Sequence, residues 1–259
     1  MKAVILAGGL GTRIQEESHD RPKPMVEIGG KPILWHIMKI FYSYGVKEFV
    51  ICCGYKGYQI KEYFANYLLH MSDVTFDFEK RETRIHKERG EKWTVSLCDT
   101  GESSLTGERL KRVRNFLTDN EPFLFTYGDG LSDVNIHELV SFHKKQASLA
   151  TLTAVIPKAR FGAIEIQRDH VSKFQEKPND SEGYINGGFF VLEKQAIDYI
   201  GNENESWEAK PLEKLAKDGQ LSAFKYNGFW QPMDTLRDKN YLQELWSNNR
   251  APWKTWADE

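Results

Sequence analysis

Three kinds of residue in this chain could do chemistry together: closely spaced glycines, cations on stiff backbone, and aspartates set in turns. Gly8, Gly9 and Gly11 follow an apolar run, Ala3 to Ala7, so the backbone can turn sharply and present bare N–H groups to an anion. Arg13 comes two residues after the last glycine. Lys23 stands between Pro22 and Pro24, a second cation on a segment whose shape is largely set before any ligand arrives. A glycine turn, an arginine and a proline-clamped lysine make a site for a polyphosphate. Two common phosphate loops do not fit. The chain has no G-x-x-x-x-G-K-[ST], and a G-x-G-x-x-G begun at Gly9 would need its third glycine at Ile14. Asp129, between Gly128 and Gly130, would read alone as an Asp-Gly turn. Beside a triphosphate site it suits a divalent metal, because Mg²⁺ takes one or two carboxylates together with phosphate oxygens.

The elements that must position these residues follow from periodicity. Ala3 to Ala7, Glu48 to Cys53 and Phe123 to Tyr127 are apolar without polar alternation, the pattern of parallel strands buried on both faces. Between them, Pro32 to Tyr44 and Gln59 to Leu69 carry helical stripes; the first comprises Ile33, Leu34, Ile37, Met38, Phe41 and Tyr44. Strand alternating with helix implies an α/β chain: a doubly wound, mostly parallel, Rossmann-like sheet with a small additional β element, and ligands beyond the carboxyl ends of the strands. Val74 to Phe78 and Trp93 to Cys98 read as strands flanking the charged run EKRETRIHKERGEK, which could be a solvated hairpin tip, an oligomer contact or a substrate lid. In the helix marked by Leu110, Val113 and Leu117, with Ser103, Ser104 and Thr106 as available caps, Arg109 is the basic residue best placed to meet a ligand. Asn135 to Gln146 and Pro211 to Asp218 read as further helices, and Leu149 to Val155, Gly162 to Ile166, Val171 to Phe174, Gly188 to Leu192 and Leu221 to Tyr226 as strands. No Pro/Gly/Ser linker divides the chain, so 1–259 is expected to be one domain, read in three parts: 1–130, 131–245 and a tail (246–259). Trp246, Trp253 and Trp256 in that region should dock on the domain's own surface or on a neighbouring subunit.

Composition narrows the class. A net charge of −2 with 28% charged residues gives no basic excess for nucleic acid or a membrane surface. No apolar stretch approaches a bilayer span, and Met1 leading straight into the first strand leaves no room for a signal peptide, so a cytoplasmic protein is expected. Three cysteines, two of them adjacent in an apolar run, read as reduced and buried. Seven histidines without metal-binding spacing give no zinc site.

GGLGTR and RPKPMVEIGGKPIL resemble the opening of the sugar-nucleotide nucleotidylyltransferases, which join a sugar 1-phosphate to a nucleoside triphosphate. The resemblance spans nearly the whole chain. D-T-G-x-x-x-x-T-G-x-R-L, ending at Leu110, is similar to the base-recognition region of the glucose-1-phosphate cytidylyltransferase branch, with Glu108 where that branch often has glycine. Glu176-Lys177-Pro178 resembles the family's sugar-phosphate motif, and Asn186-Gly187-Gly188 its sugar-binding N-x-G. Asp234 looks like its late metal-binding aspartate, although capping the helix from Thr235 to Ser247 is an alternative duty.

The resemblance implies a site residue by residue. Leu6, Ala7, Gly8, Gly9, Leu10, Gly11, Thr12, Ser104, Arg109 and Gly128 would bind the nucleotide, with Arg13 on the leaving phosphates and Lys23 on the phosphoryl group under attack. Glu176, Lys177, Asn186 and Gly187 would hold the sugar phosphate, and Asp129 with Asp234 would hold Mg²⁺. The implied reaction is CTP plus glucose 1-phosphate giving CDP-glucose and pyrophosphate, for deoxysugars of lipopolysaccharide O-antigen, in a homo-oligomer with a hexamer as candidate. Alternatives are UTP or dTTP as nucleotide, another sugar phosphate, or a catalytically silent regulatory subunit. A nicotinamide oxidoreductase is disfavoured by the missing third glycine.

Overall fold

The computed structural model describes residues 1–14, 20–86, 90–157, 163–167, 170–175, 183–201 and 204–257, with backbone alone at Arg13, 163–167 and 170–175. Seven strands form its central sheet: β1 (Lys2–Ala7), β2 (Glu48–Cys53), β3 (Thr94–Asp99), β4 (Phe123–Tyr127), β5 (Ala150–Val155), β6 (Ile185–Leu192) and β7 (Leu221–Tyr226). Their spatial order is β7-β5-β6-β4-β1-β2-β3. Only β6 is antiparallel to its neighbours. The helices are α1 (Ile33–Ser43), α2 (Gly57–Ala65), α3 (Tyr67–Met71), α4 (Thr106–Arg112), α5 (Ile136–Gln146), α6 (Lys210–Lys217) and α7 (Leu236–Ser247).

The unbroken apolar strands are explained by two cores, one on each face. Ala3, Ile5 and Ala7 of β1 meet Ile33, Ile37 and Phe41 of α1 and Leu242 of α7. The alternate residues, Val4 and Leu6, meet Leu110 of α4, Trp207, and Leu212 and Leu215 of α6. Because β1, β2, β3 and β4 run parallel, the glycine turn, Gly54, Thr100 and Gly128 all emerge at one edge of the sheet.

Some expectations change. The charged run is itself partly strand, since Glu82–His86 pairs antiparallel with Asp73–Asp77, while Thr94–Asp99 joins the central sheet beside β2. Thr83 and Ile85 favour the extended backbone that the charge pattern obscured. The helix expected from Gln59 to Leu69 breaks at Asn66, whose side-chain amide donates to the Glu62 carbonyl at 3.0 Å and competes with the helical ladder. Leu105 occupies the cap of α4, and no side-chain oxygen caps that helix. Thr106 instead donates to Glu208 (2.6 Å) and accepts from the Trp207 amide (2.8 Å). Cys52 and Cys53 are buried free thiols, and burial pushes the Cys53 thiol up to about 12.

The tail docks on the chain's own surface around His36, which is fully buried on α1. Trp246, Trp253 and Trp256 surround its ring, with Trp246 edge-on at 4.7 Å between centroids. Trp253 Nε1 donates to His36 Nδ1 at 3.3 Å, and His36 Nε2 lies 2.8 Å from the Ile28 carbonyl. An indole N–H can only donate and a carbonyl can only accept, so the ring is neutral with its proton on Nε2. Burial lowers its pKa from the usual 6.5 to about 4. Stability from this neutral ring is therefore complete above about pH 6.5. It falls as pH drops toward about 4, because the unfolded chain takes a proton that the fold refuses. Urea unfolding of the wild type should accordingly lose on the order of 3 kcal/mol more between pH 7 and pH 4 than His36→Gln does. Equal losses would mean that His36 does not resist protonation.

Candidate active site

The Pro22-Lys23-Pro24 segment enters the sheet edge as a 3₁₀ turn over Lys23–Met25, closed by the Met25 amide on the Pro22 carbonyl at 2.8 Å. All three of its residues are buried. Lys23 Nζ donates to Asp129 Oδ2 at 2.6 Å and to Asp234 Oδ1 at 2.8 Å. Three residues chosen separately from the sequence therefore meet at one point.

The meeting has local causes. Gly128 lies where a Cβ would come within 2.5 Å of the Leu6 carbonyl and 2.9 Å of Pro24 Cγ, so only glycine lets β4 end beside the lysine segment. Beyond Asp129, Gly130–Ser132 pairs antiparallel with Trp230–Pro232, and the Met233 amide donates to the Asp129 carbonyl at 2.8 Å. This short ladder carries Asp234 next to Asp129. Capping of α7 falls to Thr235, whose hydroxyl oxygen accepts from the Asp238 amide while Asp238 answers in a reciprocal capping box. Asp234 is thus placed before the helix with Oδ1 turned to Lys23.

These groups edge a cavity of about 600 Å³, within the usual range for a small-molecule site. Leu6, Gly8, Gly9, Gly11 and Thr12 line it from the glycine turn, with Lys23, Gly128, Asp129 and Asp234 at the charged centre. Ser104, Arg109 and Asn186 line its remaining walls. Gly11 takes a positive φ of 65°, which the turn requires. A side chain at Gly9 would touch no protein atom within 4 Å, so packing does not call for glycine there and its backbone is open to a ligand. Ala7 is buried, and the Leu10 side chain is turned out to solvent. Gly187 sits behind the wall, its carbonyl accepting from Trp230 Nε1 at 2.7 Å. Arg13 is described only as backbone in a 3₁₀ turn, and Glu176 and Lys177 lie outside the described residues.

Arg109 differs from expectation. It is only 4% exposed. Its Nη1 donates to Thr100 Oγ1 (2.9 Å) and to the carbonyls of Gly101 (2.7 Å) and Cys53 (3.3 Å). Its Nη2 donates to the carbonyls of Gly8 (2.9 Å) and Glu102 (3.0 Å). The terminal N–H groups that the sequence offered to a base edge are engaged by four backbone carbonyls and the Thr100 hydroxyl.

The sequence reading missed Tyr127, Glu208 and Trp230, all of which line the cavity. Tyr127 accepts from Asn186 Nδ2 at 3.2 Å, and Asn186 Oδ1 accepts from the Gly188 amide at 2.9 Å. Burial, then the neighbouring Glu208 carboxylate, raise the Tyr127 pKa, so its hydroxyl keeps its proton. Tyr127 could have been found as the residue before Gly128 at a strand's carboxyl end. Glu208 carries no local signal.

Among the described residues no three His, Cys, Asp or Glu side chains gather to hold a metal. The centre does have two carboxylate oxygens converging on one cation, a donor set that fits Mg²⁺ when phosphate oxygens complete the shell.

Comparison with known proteins identifies the family. The profile of the nucleotidyl transferase family matches residues 2–238. A glucose-1-phosphate cytidylyltransferase of Salmonella typhi is 60% identical over 256 residues, covering 99% of this chain and 100% of that protein. The mannose-1-phosphate guanylyltransferase catalytic subunit beta of Dictyostelium discoideum is 28% identical over 251 residues, covering 95% of this chain and 64% of its own. The crystal structure of HddC from Yersinia pseudotuberculosis superimposes with a TM-score of 0.69 at 26% identity, covering 95% of this chain and 99% of that one.

Two partly buried carboxylates facing one buried ammonium form a coupled unit, and removing the cation alone leaves uncompensated charge. Lys23→Met should cost about 2 kcal/mol in urea unfolding, and adding Asp234→Asn should return part of that loss. Strict additivity of the two substitutions would mean that the ion pair does not contribute to the fold.

Proposed function

The chain belongs to the nucleotidyl transferase family, and we propose that it transfers the cytidylyl group of CTP to glucose 1-phosphate, releasing pyrophosphate and giving CDP-glucose. What carries this reading is 60% identity, end to end, to a glucose-1-phosphate cytidylyltransferase. The convergence of Lys23, Asp129 and Asp234 supplies the chemistry.

The nucleophile would be a phosphate oxygen of the sugar 1-phosphate, already anionic at neutral pH because the second pKa of a monoester is about 6. Its attack forms a P–O bond to the α-phosphorus as the bond from that phosphorus to the α–β bridging oxygen breaks, and this oxygen leaves as a terminal oxygen of pyrophosphate. No side chain has to remove a proton. The chain's task is to position two polyanions and offset their charge. Backbone N–H groups of Leu6 to Gly11 would cradle the nucleotide, with Gly9 open to close approach. Arg13 would hold the departing β- and γ-phosphates. Lys23 would leave its carboxylates to meet the α-phosphoryl oxygens, where charge grows during the reaction. Glu176 and Lys177 would bind the sugar phosphate, with Asn186 and Gly187 on the sugar. Tyr127 would steady Asn186 through their hydrogen bond. Asp129 and Asp234 would hold Mg²⁺, which when bound supplies charge neutralisation at the α-phosphate.

The same reading assigns residues 1–130 to the nucleotide, 131–245 to the sugar and metal, and the product to deoxysugars of O-antigen in lipopolysaccharide. Nucleoside triphosphate chemistry of this kind belongs in the cytoplasm. Among the described residues no helix is long and apolar enough to cross a membrane. A homo-oligomer is supported by the hairpin of Asp73–Asp77 and Glu82–His86, which projects Phe76, Phe78 and Ile85 into solvent at 52%, 88% and 39% exposure. Two strands alone are marginal in water, so a second copy is the natural cover, with a hexamer the assembly that light scattering should test.

Pyrophosphate release should be fastest with CTP and glucose 1-phosphate among all pairings of nucleotide and sugar phosphate. Asp129→Asn and Asp234→Asn should each slow it by ~10²–10³. Near-normal turnover in either variant would remove that aspartate from the metal. The ion pair makes a second expectation that needs no turnover: Lys23→Met, which vacates the space between the carboxylates, should bind Mn²⁺ more tightly than the wild type in nucleotide-free calorimetry. Weaker or equal binding would mean that the two aspartates do not form a cation site.

A further inference from the structure

We infer that Thr100 and Gly54, neither of which lines the cavity, are positioning residues that set the conformation of the glycine turn through Arg109. The inference rests on the nucleotide reading of that turn, but its geometry does not depend on which nucleotide binds. Arg109 crosses behind the turn. One guanidinium joins the carbonyl at the end of β2 (Cys53), the hydroxyl and carbonyls after β3 (Thr100, Gly101, Glu102) and the first glycine after β1 (Gly8). Three parallel strands that end at one edge are thereby tied at their loops rather than only along their ladders. The Gly8 carbonyl also accepts from the Tyr55 amide at 3.2 Å, so the turn's first residue is held by two donors.

Thr100 fixes the guanidinium. It is fully buried, and its hydroxyl donates to the Cys53 carbonyl at 2.7 Å while accepting from Arg109 Nη1 at 2.9 Å. A hydroxyl has one hydrogen, and Thr100 spends it on Cys53, so its lone pairs point at the arginine. The Thr100 carbonyl in turn accepts from Arg112 Nη1 at 3.0 Å. The glycines supply space for the same group. A Cβ at Gly8 would lie 2.1 Å from Arg109 Nη1. A Cβ at Gly54 would lie 2.3 Å from Nη1 and 2.8 Å from the Gly8 carbonyl. A side chain at the first glycine of G-G-L-G would therefore push the arginine out of its place behind the turn, whereas Gly9 is the one left open in front. Such a device orders the anion-binding amides before the ligand arrives, which lowers the ordering cost of binding.

Thr100→Val keeps the shape and removes the hydroxyl. Hydrogen exchange in the ligand-free protein, followed over the peptide that contains residues 8–11, should quicken roughly tenfold, and Thr100→Ser should restore the wild-type rate. Calorimetry should give a CTP Kd weakened roughly tenfold, while the KM for glucose 1-phosphate stays within about twofold. The ratio of kcat/KM for CTP and UTP should not move, because the turn's shape, not a base contact, has changed. Gly54→Ala, which crowds both the guanidinium and the Gly8 carbonyl it holds, should show the same pattern. Unchanged exchange at residues 8–11 in both folded variants would overturn the inference. So would a shifted CTP-to-UTP ratio, which would make the arginine a reader of the base. If the wild type showed no preference for CTP at all, the functional reading would fail while exchange in the free protein still judged the clamp.

Discussion

Everything at the working edge of this molecule depends on one ammonium held between two carboxylates. Lys23, Asp129 and Asp234 come from a turn after β1, a turn after β4 and the approach to α7, separated by 106 and 211 residues. A largely buried lysine needs partners, and partly buried carboxylates of like sign cannot sit side by side without a cation. Each member therefore makes the others tolerable. The surrounding devices serve the meeting: prolines that stiffen the lysine segment, the missing side chain at Gly128 that admits Pro24, and the two-stranded ladder that delivers Asp234.

The three residues of that arrangement were legible in the sequence, and the ladder that brings Asp234 to the other two was not. Unbroken apolar runs gave β1, β2 and β4 with little error, because burial on both faces removes polar alternation and leaves a clear signal. The Gly-Asp-Gly turn and the proline-clamped lysine were visible for the same reason: each is a local solution to a local backbone problem. Trp230–Pro232 pairing with Gly130–Ser132 is a contact between segments about a hundred residues apart, each too short to show a period. Arg109 was legible as a residue at the cavity, but its partners behind the turn were not. A basic residue on a short amphipathic helix reads as surface, and nothing local announces that the loop before that helix and two distant loops, at Cys53 and Gly8, supply its five acceptors. The resemblance of the E-K-P segment to a sugar-phosphate motif remains a sequence statement alone.

The tail shows a further way in which motif and packing share residues. Within I-G-G-K-P, Gly29 has a positive φ of 60°, and a Cβ there would come within 2.0 Å of the Trp246 indole. Its amide donates to Gln243 of α7 at 2.8 Å. This glycine is kept by the helix that Asp234 precedes. Trp253 and Trp256 extend the contact across His36 to Lys39, which is buried in an ion pair with Glu91 at 3.0 Å and lies 5.6 Å from the Trp256 ring. The turn before α1 and the end of the chain thus pack as one unit, with the lysine segment leading into it.

Charge accounting then explains why the site should wait for its ligand. Two carboxylates and one ammonium leave a local charge near −1, which would repel a bare triphosphate. A divalent ion arriving alone would have to displace a lysine whose ammonium is already paired at 2.6 and 2.8 Å. A nucleotide carrying its own Mg²⁺ would answer both conflicts: its phosphates would give Lys23 new partners, and Asp129 and Asp234 would hold the metal. The lysine would then move from counter-ion of the resting site to counter-charge of the transition state. Such a switch needs a phosphate cradle whose position does not depend on the lysine. The clamp on Gly8 supplies it, since Arg109 holds the turn from behind through backbone acceptors alone and one threonine, independently of the charges in front.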